Sequence, residues 1–226
     1  GACRAASCKG ATMRQQLRIL LVHLVLIAAT LGAVYPIAVV VGISLRPSGA
    51  LYSTSLRILP ENATFEAYRV LLAERGFLLW LRNSLFVSLA VTVIGVALAA
   101  TAAYALARYE FKGKTWSLYS FLLTQMFPLT MLLLPLYVLL RRVHLIDSLG
   151  GLVIAYVATT LPFCVWTLKG YYDTVPRELE EAALLDGMTP MGAFLRVTLP
   201  LSAPALAITA LFSFMSGWSE FIVARV

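Results

Sequence analysis

Long apolar runs alternate with short polar breaks along this chain. Five runs stand out, at residues 17–45, 83–107, 116–140, 151–168 and 201–218. About 20 apolar residues in a helix cross a bilayer core, so each run is predicted as a membrane span. Pro36 is predicted to kink the first span. His23 lies alone on that span's apolar face, where a packing role outweighs a ligand role. The second run is rich in Ala, Val, Gly and Thr, and such small residues let helices approach closely in lipid. The third contains Pro128 and Pro135, seven residues apart and so near one face. Prolines free backbone carbonyls, which in a membrane must meet neighbours or a water-filled cavity. With Thr124 and Gln125 at that depth, the third span is a candidate pathway wall. The fourth carries Pro162, Phe163 and Trp166. The fifth has Pro204 near its start and Ser213, Ser216 and Gly217 near its end.

The expected class is therefore all-α, a polytopic helix bundle. Residues 1–16 read as a tail, 17–45 as the first span and 46–82 as a polar segment outside the membrane. Residues 83–226 read as the main transmembrane domain. Residues 1–12 differ in character from the basic start at Met13; they read either as a tag or as upstream sequence from a mistaken start and are given no functional weight. Within 46–82, Thr64-Phe65-Glu66-Ala67-Tyr68 predicts a short capped helix, and Asn62-Ala63-Thr64 is a formal but weak glycosylation sequon.

The longest polar break of the downstream half runs over residues 174–200. Asp173 or Thr174 is expected to cap a helix, with Pro176 in its first turn. Glu178, Glu180 and Glu181 would complement that helix's positive end. Ala182 and Ala183 offer a small surface to a partner, and Gly187 a turn. Thr189-Pro190 repeats the cap signal, and Met191, Phe194 and Val197 fall on one helical face.

Composition agrees with the apolar pattern. Apolar residues make up 60% and charged residues 13% of the chain, against about 25% charged in soluble domains. Mean hydropathy is +0.84. The net charge of +7 suits Lys and Arg flanking spans beside anionic lipid. Without a basic cluster interleaved with aromatics, nucleic-acid binding is set aside. Lys and Arg divide ten to eight between the two sides, or eight to eight without residues 1–12, so charge alone does not orient the chain. Cys3, Cys8 and Cys164 form neither a metal nor a disulfide framework; Cys164 is expected to pack. Gly113-Lys114-Thr115 lacks the earlier glycine of a phosphate-binding loop. No nucleophile–base or metal-ligand spacing is present, so no enzyme is predicted.

Residues 174–200 carry a resemblance. Glu181-Ala182-Ala183, then Gly187, then Val197-Thr198-Leu199-Pro200 resembles the EAA loop of the membrane subunits of ABC importers. That pattern reads Glu-Ala-Ala, three residues, Gly, nine residues, Ile-x-Leu-Pro; Val197 for Ile is the single departure. Gln125-Met126-Phe127-Pro128 and Val165-Trp166-Thr167-Leu168-Lys169-Gly170-Tyr171 resemble the maltose-type permease of the carbohydrate branch. The resemblance implies the type I importer permease fold with six spans. Five are countable, so a C-terminal connector and span, about 50 residues in all, are expected to be missing.

It further implies a multi-pass subunit of a bacterial or archaeal plasma membrane, importing a maltose-like sugar. The implied partners are a second permease, two copies of a cytoplasmic ATPase holding ATP and Mg, an extracytoplasmic solute-binding protein, and membrane lipid. This chain itself would hold no cofactor or metal. Glu181, Ala182, Ala183, Asp186, Gly187, Met191, Phe194, Leu199 and Pro200 would couple to the ATPase, with Glu181 paired to a basic residue there and Phe194 or Met191 an apolar knob. Gln125, Pro128, Trp166, Ser213 and Trp218 are the candidate pathway residues. Two alternatives are a permease for a non-sugar solute such as glycerol-phosphate and an ion-coupled secondary transporter. The second usually needs an intramembrane acid or a broken-helix ion site, and none of the five spans holds an acid well inside.

Overall fold

The computed structural model describes residues 2–47 and 62–220. The chain divides into two compact units, Gly1–Leu78 and Leu79–Val226. In the first unit, α1 (Ala2–Ser44) contains Pro36, and α2 (Glu66–Ala73) is short. The Gln15–Ser44 portion of α1 has a mean hydropathy of 2.5 over 30 residues. A single helix with that profile suits lipid. His23 shares a 2.7 Å hydrogen bond with the Ile19 carbonyl one turn back, which is a local, non-ligand role. Thr64 accepts from the Glu66 N–H at 3.2 Å. Tyr68 shares a 2.6 Å hydrogen bond with Ser44.

The second unit is a bundle around α3 (Phe77–Arg108), α6 (Leu149–Tyr172) and α10 (Ala203–Ser219), where α3 begins at the unit boundary. One core cluster gathers Ala99, Ala103, Leu106, Val165, Leu168, Tyr172 and Ala205; another gathers Val87, Val91, Val153 and Tyr156. Lipid supplies no hydrophobic drive between helices, so close packing of small residues and polar contacts must hold such a bundle. Gly217 shows this directly: a Cβ there would lie 3.3 Å from the Ser88 Cα. Ser213 is fully buried and lies 3.2 Å from the buried Cys164 Sγ.

Three described helices are long and apolar enough to cross a membrane, or five spans if each bent pair counts as one. The first apolar run of the sequence thus falls on α1 of the first unit, and the other four fall on helices of the second. The third run differs from expectation. It is two helices, α4 (Lys114–Met126) and α5 (Leu129–Arg142), meeting at a 109° bend. Pro128 is extended at the break and precedes α5, while only Pro135 lies inside a helix. The pair of prolines on one kinked face is therefore replaced by one breaking proline and one helical proline. Pro128 disfavours helical backbone at Phe127, which is extended.

Candidate functional site

Between α6 and α10 the chain builds a folded loop. It comprises α7 (Glu178–Leu185), α8 (Pro190–Ala193), a π-helical turn (Phe194–Thr198) and α9 (Leu199–Leu201). Gly187 has φ +86° and ends α7 in the left-handed region, a conformation glycine adopts without a Cβ penalty. Thr189 caps α8, accepting from the Gly192 N–H at 3.1 Å, and Pro190 opens the helix. The π-turn ends with the Leu199 N–H bonded to the Phe194 carbonyl. Pro200 has no N–H for the Arg196 carbonyl, so an ordinary α-turn could not continue through it unbroken.

The expected start of α7 is corrected. Asp173 ends α6 and pairs with Lys169 at 2.6 Å. Thr174 donates to the Tyr171 carbonyl at 2.7 Å. Arg177 precedes α7 with no side-chain cap. Both proposed caps are occupied by the end of the preceding helix.

Glu180 is the centre of the loop's inner face. It is 7% exposed. Its Oε1 accepts from Arg108 Nε at 2.8 Å and from Thr198 Oγ1 at 2.6 Å; its Oε2 accepts from Tyr104 Oη at 2.9 Å. Burial pushes its carboxyl pKa up, but hydrogen bonds from Thr198, Arg108 and Tyr104 and the Arg108 charge outweigh that and hold it below the usual glutamate value. Charge-assisted bonds favour the ionised form. Arg108 Nη2 also donates to the Val175 carbonyl at 3.0 Å, and Arg177 Nη2 to the Ala107 carbonyl at 3.1 Å. Phe194 packs on Tyr104 with ring centroids 4.4 Å apart, and on Tyr172 edge-on.

A second feature lies near the middle of α6. A cavity of about 400 Å³ is bordered by Gln125, Pro135, Thr159, Phe163, Phe212 and Ser216, among others. Phe163 and Phe212 face each other at 4.0 Å between centroids. The Thr159 and Thr160 hydroxyls donate to the Tyr156 carbonyl, so their oxygens keep lone pairs for an incoming donor. Pro162 has no N–H to give the Ala158 carbonyl, and both residues border the cavity. Among the described bordering residues none is Lys or Arg, and Glu220 is one of them.

Comparison with known proteins settles the class of this chain. Residues 92–226 match the family described as binding-protein-dependent transport system inner membrane component. The chain belongs to that family. Among its relatives is the maltose/maltodextrin transport system permease protein MalG of Salmonella typhimurium, 39% identical, the match covering 94% of this chain and 77% of that protein. Another is the diacetylchitobiose uptake system permease protein DasC of Streptomyces coelicolor, 35% identical over 84% of this chain and 69% of that one. The fold matches a chain of a bacterial ABC transporter involved in the import of the acidic polysaccharide alginate. Its TM-score is 0.77 at 24% identity, covering 91% of this chain and 72% of that one. The chain is thus a multi-pass importer permease, a membrane component of a transport system, helical throughout its described elements.

The predicted site residues of this permease separate into groups. Glu181, Ala182, Asp186, Gly187, Met191 and Pro200 are exposed, and Leu199 is half-buried. Ala183 and Phe194 are not free: they are 6% and 3% exposed, packed within the chain. The expected shared face of Met191 and Phe194 is split, because Phe194 turns in to the tyrosines while Met191 stays out. Leu185, 89% exposed, was not singled out from sequence, yet it is the loop's most exposed large apolar side chain. Of the candidate pathway residues, Gln125 alone borders the cavity. Ser213 is buried against Cys164, and Trp218 stacks on Phe214. Trp166 is 43% exposed away from the cavity lining.

Sequence reasoning missed Glu180. Three acids close together looked alike, and only a 72-residue sequence separation to Arg108 distinguishes the buried one. A usable signal did exist: Glu180 and Ala183 lie at i and i+3, on one face of α7, and both are buried.

Proposed function

We propose that this permease forms half of the pathway of an ATP-driven importer for a neutral sugar or oligosaccharide of maltose-like class. The match to carbohydrate permeases over most of the chain carries the reading. Residues 174–200 would be the coupling loop, presenting Glu181, Ala182, Leu185, Asp186, Gly187 and Met191 to a cytoplasmic ATPase that holds Mg and ATP. Glu181 would meet a basic side chain there, and Leu185 with Met191 would supply the apolar contact in place of the buried Phe194. A second permease subunit would complete the pathway, two ATPase copies would drive it, and a solute-binding protein would deliver the sugar across a bacterial or archaeal plasma membrane. ATP binding would then shift the population between two pathway states by favouring one of them.

The cavity supports a sugar over glycerol-phosphate. A phosphate calls for Arg or Lys, and none is among the described residues that border the cavity. A sugar's hydroxyls would meet Gln125, Thr159 and Ser216, beside the paired rings of Phe163 and Phe212. The ion-coupled alternative lacks an acid well inside any span, and the buried Glu180 is already neutralised by Arg108.

The test is co-expression of the full-length protein with its partner permease and ATPase. Wild type is expected to co-purify with the ATPase and take up labelled maltodextrin. Glu181→Lys with Leu185→Glu is expected to lose the ATPase. Equal retention by both proteins would remove the coupling assignment.

A further inference from the structure

We infer that Glu180 is a positioning residue that joins the coupling loop to α3 and α10, so that displacement of the loop moves the pathway helices with it. This rests on the coupling reading above and concerns a residue outside the surface assigned to the ATPase. A buried ion pair is weak evidence for stability, since apolar replacements are often as stable; its best-attested use is fixing register. The arrangement here fits register. One carboxylate sits in α7 and takes donors from two other segments: Arg108 and Tyr104 at the end of α3, and Thr198 in the π-turn leading to α10.

The backbone ties repeat the join in both directions. Arg108, from α3, reaches the Val175 carbonyl ahead of α7. Arg177, from the loop, reaches the Ala107 carbonyl at the end of α3, where helix carbonyls lack intrahelical donors. Each arginine thus satisfies a carbonyl of the other's segment, and Glu180 lies with both of them on the loop's inner side. The neighbouring Glu181 points outward. Consecutive glutamates therefore divide the work: one faces the partner, the other holds the loop to the helices that must respond. A force on Leu185 or Glu181 cannot slide α7 along α3 without breaking charge-assisted bonds in a buried setting.

An isosteric amide tests this without emptying the site. Glu180→Gln keeps an oxygen for Arg108 and Thr198 and an amide toward the Tyr104 oxygen, but removes the charge. Arg108→Lys keeps a charge but loses the planar fork that spans Glu180 and Val175. In proteoliposomes holding the whole transporter, both variants are expected to retain the ATPase. Sugar transported per ATP hydrolysed is expected to fall roughly tenfold, the scale of a lost coupling free energy. Because the two residues act as a unit, the double variant is expected to be no worse than the weaker single. A ratio equal to wild type would overturn the inference, including the case where transport and hydrolysis fall together with the amount of assembled complex. Wild type that binds no ATPase would instead sink the importer reading itself.

Discussion

In α7, just beyond the end of α6, the chain holds one carboxylate with three side-chain donors from other segments. Halfway along α6, the hydroxyls of Thr159 and Thr160 turn back to their own backbone and face an open cavity. The loop region is charged, buried and tied across the bundle. The cavity region is uncharged along most of its border, with donors satisfied locally and acceptors left over. On the proposed reading, the contrast would make the subunit stiff where the ATPase pushes on the loop and permissive where a sugar would pass. A buried charge network has few alternative arrangements, because each broken bond strands a charge. A wall of hydroxyls and aromatic faces can meet differently oriented sugars at small cost.

The harshest way to break this contrast is Glu180→Ala. It strands Arg108 beside buried surface, and removing one partner of such a pair costs about 3–5 kcal/mol. Thermal unfolding of the purified protein in detergent should show a large fall in Tm. The same network has a pH signature. The folded Glu180 carboxyl lies below its ordinary value, so its contribution is fully present above the unfolded glutamate pKa of about 4.3. It is lost as pH falls through the lower folded value. The Tm gap between wild type and Glu180→Gln should therefore be constant near neutrality and shrink below about pH 4. A gap that persists unchanged in acid would mean that charge is not what the site uses.

Gly217→Leu comes next. Its Cβ would press on the Ser88 backbone, and overpacking of this kind costs about 1–3 kcal/mol. Tm should fall without any change in the ratio of transport to hydrolysis among complexes that assemble. At the cavity, Gln125→Ala should leave Tm unchanged and raise the KM for sugar uptake about fivefold, the equivalent of one hydrogen bond. A Tm loss at Gln125 matching that at Glu180 would erase the distinction between the two regions.

The finest comparison uses one substitution at two neighbouring rings. Tyr104→Phe removes a bond to Glu180 and should cost about 1 kcal/mol. The Tyr172 hydroxyl is buried without a partner, so Tyr172→Phe should be neutral or stabilising by up to about 1 kcal/mol. Paired Tm measurements distinguish the two signs.

The loop's segments were legible in sequence because their signals are local. Thr189-Pro190 caps a helix whatever surrounds it, and Gly187 satisfies a positive φ by itself. The starting point of α7 was not, because Asp173 and Thr174 are equally good at ending α6 and only packing assigns them there. Aromatic and polar residues near the spans were easy to name but not to place. Ser213 became a buried partner of Cys164, while Ser216, one turn on, reached the cavity.

Apolar run length by itself determined the class: with this many unbroken hydrophobic segments, backbone hydrogen bonds must be satisfied within helices in a membrane. The fixed spacing from Glu181 to Pro200 likewise marked the loop. The tertiary structure alone decided which of three close glutamates is buried, that Pro128 breaks its span rather than kinks it, and which side chains border one cavity. These depend on contacts between residues far apart in the chain, such as Glu180 with Arg108, and no local periodicity carries the distance between them.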